Sequence, residues 1–306
     1  MQVATGSYAG NNADNRAITG VGFQPDLVII QSQDSQHPIV KTSAMAGDTA
    51  LGSSTTLTAN LIQSLDADGF TVGSDSRVNS GTYSFYWIAM RAAAGEMAVG
   101  NYTGDGADNR AITGVGFLPE FVMVLPATGT DSTSWRTSQH SGDASQYVNS
   151  AGAPFANFVQ SLDADGFTVG SASPVNKSGG DIHWFAIKSI TGYSKSGSYT
   201  GTGADDYSLS GFGFQPAWFF SQADAASRAY HKTSEMGTGA HRFGTAQSLT
   251  DNIIQAIESD GVQLGTATGG NVNTVVYRWF AIKAGSSPSG GSAVPVIMNQ
   301  YRQRWN

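Results

Sequence analysis

The eleven-residue phrase SLDADGFTVGS stands twice in the chain, at residues 64–74 and 161–171, and a looser version, AIESDGVQLGT, occupies 256–266. It belongs to a longer repeat. GSYAGNNADNRAITGVGFQPD begins at Gly6, GNYTGDGADNRAITGVGFLPE at Gly100 and GSYTGTGADDYSLSGFGFQPA at Gly197. KTSAM, RTSQH and KTSEM begin at Lys41, Arg136 and Lys232. Each copy closes on an aromatic run: SFYWIAM from Ser84, DIHWFAIK from Asp181 and VYRWFAIK from Val276. Four landmarks recurring in one order three times restrict the chain to a single topology used three times. A unit of about 95 residues exceeds a solenoid repeat and is long enough for its own core. The expected organisation is therefore three tandem domains, 1–95, 96–192 and 193–284, followed by an extension, 285–306. That extension opens on GSSPSGGSA, a flexible-type linker, and ends in VPVIMNQYRQRWN.

Within a unit the signals are strand-like. DLVII and EFVMVL are short β-branched and aromatic runs that each follow a proline at a strand-start position. Charged residues are only 13 % of the chain and glycines number 38, which suits an all-β protein with many tight turns and a polar, weakly charged surface. In the aromatic run, Phe85/Ile182/Tyr277, Trp87/Trp184/Trp279 and Ala89/Ala186/Ala281 share one face. Ile88/Phe185/Phe280 and Met90/Ile187/Ile282 occupy the other. Two apolar faces predict a strand between two layers, as in a sandwich, with Trp87, Trp184 and Trp279 as its repeated core. Tyr86/His183/Arg278 changes chemistry in every copy, so that position is expected near solvent or a neighbour.

IQSLDADGFTVG reads as a hairpin: a strand through Leu65, a turn over Asp66-Ala67-Asp68-Gly69 and a return strand from Phe70, with the glycine left-handed in a three-residue loop. The alternative is a short helix, since Leu57, Leu61, Ile62 and Leu65 fall near one helical face. Asp66, Asp68, Asp163 and Asp165 are the weak metal candidates, able to offer oxygens to calcium. An EF-hand loop needs acids or amides at positions 1, 3 and 5 and a distant bidentate glutamate, and neither copy has them. Glu258 also replaces the first aspartate in the third copy. Carboxylates that cap turn amides are the expected role.

GDGADNR, from Gly104, superficially resembles a phosphate loop but has neither a P-loop lysine nor a G-x-G-x-x-G opening a helix. A turn with exposed Arg16 and Arg110 is the reading. The cation kept at Lys41, Arg136 and Lys232 either pairs with a turn aspartate inside its copy or lines a shared polar site. His37, His140, His183, His231 and His241 do not occupy equivalent repeat positions. No G-x-S-x-G, H-E-x-x-H or cysteine nucleophile is present. The expectation is a non-enzyme with no catalytic residues and no cofactor.

A formal charge of −7 with six lysines argues against binding a nucleic-acid backbone. Cysteine is absent, so disulfides and thiolate metal sites play no part. MQVATGSYAGNN has no basic segment leading into an apolar run, so no signal peptide is expected. No apolar stretch approaches the roughly 20 residues of a membrane-spanning helix.

YTGDGADNRAITGVGFLPE, SLDADGFTVGS and VNSGTYSFYWIAM resemble the tandem repeat of structural proteins of tailed bacteriophages, often minor tail or fibre-associated chains. The resemblance covers nearly all of 1–284 and nothing of the tail, and it implies lectin- or laminin-G-like antiparallel β-sandwiches. It implies a structural accessory of a virion, on tail, fibre or head, made in the host cytoplasm and partnered by other virion proteins, as a homo-oligomer or part of a larger assembly. The alternative is a carbohydrate-binding adhesin that presents loop sites to host surface glycans; a glycan hydrolase, with paired carboxylates, is a distant third. Val294, Val296 and Met298 alternate as in a strand added to a neighbour's sheet. With Tyr301, Arg302, Arg304 and Trp305, residue types favoured at interfaces, they form the expected assembly anchor.

Overall fold

The computed structural model describes residues 1–52, 56–129, 131–225, 227–244 and 248–288. The expected anchor residues Val294, Val296, Met298, Tyr301, Arg302, Arg304 and Trp305 lie outside the described residues. The chain is all-β, with 48 % in strands, 3 % in helix, and antiparallel pairing throughout the sheets.

The first copy runs β1 (Gln2–Ala9), β2 (Arg16–Thr19), β3 (Leu27–Ser32), β4 (Ile39–Thr42) and β5 (Thr49–Gly52). It continues with β6 (Thr58–Ala59), β7 (Ile62–Asp66), β8 (Gly69–Val72), the one-turn helix α1 (Ser76–Asn79) and β9 (Ser84–Arg91). Its large sheet has the order β1-β9-β3-β4-β5-β6, and a small sheet has the order β2-β8-β7. The second copy repeats both sheets, from Met97–Thr103 to Asp181–Ile187. The third, from Ser194–Thr200 to Val276–Ile282, repeats them with an outer edge that is shorter among the described residues.

Side chains alternate across each large sheet, and the two faces are buried against different things. In β3, Val28 and Ile30 face the small sheet of their own copy, joining Phe70, Val72, Trp87 and Ala89 in its sandwich core. Leu27 and Ile29 point the other way, into a cluster shared by all three copies. There Ile88 and Met90 meet Phe121, Met123, Phe185 and Ile187 of the second copy and Trp218, Phe220, Phe280 and Ile282 of the third. The Phe121 ring sits at the crossing, 4.6 Å from Phe280 and 6.1 Å from Trp218 between centroids. Each copy thus has a sandwich core of its own, and one further core belongs to the three together.

The segment that follows the third copy helps join it to the first. Gly285–Ser286, read from sequence as the start of a flexible linker, is a two-residue strand on the outer edge of β1, pairing with Gln2 and Val3. Ser287 is buried, and its N–H donates to the Met1 carbonyl at 2.9 Å. Two small residues with free backbone donors and acceptors are enough to extend an edge, a property that composition does not distinguish from flexibility.

Candidate functional site

The repeated DADG is a hairpin, and its acids are committed to it. Asp66 pairs with Gly69 across a two-residue loop, Ala67-Asp68, rather than the expected three-residue one. Asp66 accepts from the Ser64 and Thr71 hydroxyls, both at 2.8 Å, and Asp163 does the same with Ser161 and Thr168. In the third copy, where those hydroxyls are Ala256 and Gln263, the longer Glu258 instead accepts from Ser208 on the neighbouring strand at 2.9 Å.

Asp68 reaches across to the turn after β2 and accepts the backbone N–H groups of Gly20 and Gly22, at 3.0 and 2.6 Å. Asp165 holds Gly114 and Gly116, and Asp260 holds Gly211 and Gly213, in the same way. The second acid is therefore a clamp between two turns. Gly69 has φ +147°, and a Cβ there would lie 2.0 Å from the Ile18 carbonyl oxygen, so only glycine fits beneath the clamp.

Arg16 and Arg110, expected to be exposed, are half-buried. Each lies over a tyrosine, Tyr8 or Tyr102, with its guanidinium 5.0 Å from the ring centre. Each also donates to the side-chain oxygen of a buried asparagine, Asn79 or Asn176. Those asparagines, with Asn271 in the third copy, also bond the backbone of the turn that carries the ADN or ADD triplet. Sequence reasoning missed them. The signal was an asparagine at the same place in every copy, ahead of the closing aromatic strand.

Lys41, Arg136 and Lys232 are buried, and their charges are met by carbonyl oxygens rather than by a turn aspartate. Lys41 Nζ donates to Gly47 and Thr49 at 2.8 and 2.6 Å. Arg136 donates to Gly142 at 2.8 Å and also to Ala144, and Lys232 to Met236 and Gly239 at 3.0 and 2.7 Å. Among the described residues no carboxylate lies within ion-pair distance of the three. The peptide dipoles of the following loop solvate the cation and hold the loop in place.

In the first two copies this cation lies at a cleft between the large and small sheets. The first-copy cleft has a volume of about 650 Å³ and is lined by Gln24, Asp26, Ser43 and Ser64, with Lys41 and Arg91 as its cations. The second, about 330 Å³, has Leu118, Glu120, Arg136 and His140 in its walls.

Residues 2–101 match a family model described as Domain of unknown function (DUF7483). The matched span is about one repeat long and less than half of the chain. No curated protein and no solved structure matches.

Burial decides the electrostatics around these sites. Loss of water lowers the Lys41 and Arg136 pKa values, opposed by the nearby Asp48 and Asp143 carboxylates, and takes Lys232 down to about 8. His140 is packed edge-on against Trp135, and burial, reinforced by the positive Arg278 and Arg136, pushes it down to about 3. The position that changes between copies lies at the joins. Tyr86 is 6.2 Å from His241 of the third copy, ring to ring, and Arg278 donates to the Gln139 carbonyl of the second at 3.0 Å. His183 feels the charge of Lys41 in the first. Trp87, Trp184 and Trp279, by contrast, are buried at equivalent places, 7 %, 7 % and 5 % exposed. Each covers a glycine of the facing strand: a Cβ on Gly6, Gly100 or Gly197 would come within 2.2, 2.5 or 2.3 Å of the indole.

Proposed function

We propose that the chain is a non-enzymatic structural protein of a larger particle, a bacteriophage virion, in which residues 1–288 form a rigid accessory body and the segment beyond them attaches it. The observation that carries this reading is the shared core: three copies of one sandwich surrender a whole apolar face each to a common interior. A building block gains stiffness and a triplicated surface from three copies locked in this way. The repeated carboxylates support the same reading, since Asp66, Asp68 and their counterparts are taken up by hydroxyls and turn amides. The sequence resemblance to tail- and fibre-associated repeats supplies the virion; the apolar and arginine-bearing 294–305 supplies the anchor.

The test is sedimentation of particles from an infected culture that carries the chain either whole or cut after residue 288. The cut leaves Gly285–Ser286 and Ser287 in place, so the body stays folded. The whole chain is expected in the particle fraction and the shortened one in the soluble fraction. Equal occupancy of the two would place the contacts on the body, and absence of the whole chain from particles would refute the virion reading.

A further inference from the structure

The cleft of the first copy carries a set of groups that its counterparts lack. Arg91, at the end of β9, is exposed, and its guanidinium makes no hydrogen bond or ion pair among the described residues. Lys41 gives two of its three N–H donors to Gly47 and Thr49, leaving one uncommitted. The acid in the wall is already occupied: Asp26 accepts from the Ser43 hydroxyl and from the Ala92 N–H, each at 2.9 Å. Two cations with donors to spare thus outnumber the one carboxylate of the lining, Asp26, with Asp48 acting on Lys41 from outside the lining, and the free donors favour a negative group.

Acceptors stand beside those donors. Gln24 donates its amide N–H to the Leu65 carbonyl at 2.9 Å, which leaves Oε1 for an incoming donor. The Ser43 and Ser64 hydroxyls donate to Asp26 and Asp66 and keep their lone pairs. Pro25, Met45 and Leu65 add an apolar flank. A simple anion would use only the cations, and a neutral sugar only the acceptors. A ligand that satisfies both sets carries a carboxylate and several hydroxyls on a compact frame.

We propose that this cleft binds an acidic saccharide, its carboxylate on Arg91 and Lys41 and its hydroxyls on Gln24, Ser43 and Ser64. The volume of about 650 Å³ is in the range of small-molecule sites. A planar guanidinium is suited to a carboxylate because it offers two parallel N–H donors. The second copy is unsuited: Leu118 replaces Gln24, Glu120 accepts from the Ser138 and Ser196 hydroxyls, and the cleft is half the size. In the third copy Ala256 stands in place of Ser64 and takes away one of the hydroxyl acceptors. The site is thus a property of one copy. It does not depend on the assembly reading, since a body that binds the sugar need not be part of a particle.

The experiment is titration of the full chain with glucuronate, followed by calorimetry and by amide NMR shifts. Glucose, acetate and inorganic phosphate are the comparison ligands. Glucuronate is expected to bind with shifts confined to the loops around Lys41 and Ser64, and at least about tenfold more tightly than any of the three others. Arg91→Gln, which removes no contact of the fold, is expected to weaken glucuronate about tenfold or more. Gln24→Leu, the second copy's own residue, should reduce the advantage of glucuronate over acetate. Absence of binding up to about 10 mM, equal binding of phosphate or glucose, or an Arg91→Gln variant that binds like the wild type would each overturn the proposal.

Discussion

The two faces of the closing strand β9 and its counterparts make opposite use of the same repeat. On the face toward the copy's own small sheet, tryptophan recurs as Trp87, Trp184 and Trp279 and alanine as Ala89, Ala186 and Ala281, each in a sandwich core. On the face toward the shared core, the matching positions differ: Ile88 against Phe185 and Phe280, Met90 against Ile187 and Ile282. Similar surroundings permit identical residues at the tryptophan and alanine positions, although Phe85, Ile182 and Tyr277 on the same face differ. The central face is copied in only two of the three, Phe185 with Phe280 and Ile187 with Ile282, because side chains from three directions must fill one space at interior density. Tyr86, His183 and Arg278 extend this logic to the joins, where each copy meets a different neighbour.

The largest effects should come from breaking either face. Phe121→Ala removes a ring that touches Trp135 and Phe185 in its own copy and Trp218, Phe220 and Phe280 in the third. A loss of about 3–5 kcal/mol is expected, with hydrogen-exchange protection falling in all three copies together. Trp87→Ala should cost a similar amount but open the first copy before the others. A Phe121→Ala variant that loosens the second copy alone would blur the distinction between the faces. Next in size is Gly69→Val, which sets a β-branched side chain at φ +147° against a fixed carbonyl; a loss of about 2 kcal/mol or more in urea unfolding is expected.

Much of the sandwich face was legible in the sequence because its determinants are local. The DADG hairpin followed from turn chemistry, and the tryptophan position from alternation within one strand. The shared core was not legible, for a physical reason: two apolar faces on a strand state that both are covered, not by what. Leu27 and Val28 are equally hydrophobic, yet they belong to different cores. The cation at Lys41 was conspicuous in the repeat, but its partners are backbone carbonyls, which every residue carries and no letter distinguishes. Arg16 was misplaced in solvent because its tyrosine sits on another strand. Composition assigns Gly285–Ser286 to a linker because strand pairing at an edge needs no side chain.

Smaller effects sharpen the comparison. His140 is held neutral at the join with the third copy, with a pKa near 3 against the ordinary value of 6.5. The unfolded chain therefore binds the extra proton first. This contribution to stability is complete above about pH 6.5 and is lost as pH falls toward 3, by about 1.4 kcal/mol per unit. His231, buried beside His241, acts in the same direction. Denaturant midpoints measured from pH 7 to pH 4 should fall, and a His140→Gln variant should fall less steeply. Asp68→Asn keeps the shape of the clamp but weakens two acceptor contacts to Gly20 and Gly22, for a loss of about 1 kcal/mol, measurable in urea. Calcium should leave the Tm unchanged. A rise that disappears when Asp66 and Asp68 are both replaced would make the hairpin a metal site.

Whether three sandwiches behave as one body is tested most directly by differential scanning calorimetry of the chain. A shared core predicts one transition, with calorimetric and van't Hoff enthalpies equal for all of residues 1–288. Two or three resolved transitions, each with the enthalpy of a single copy, would contradict it.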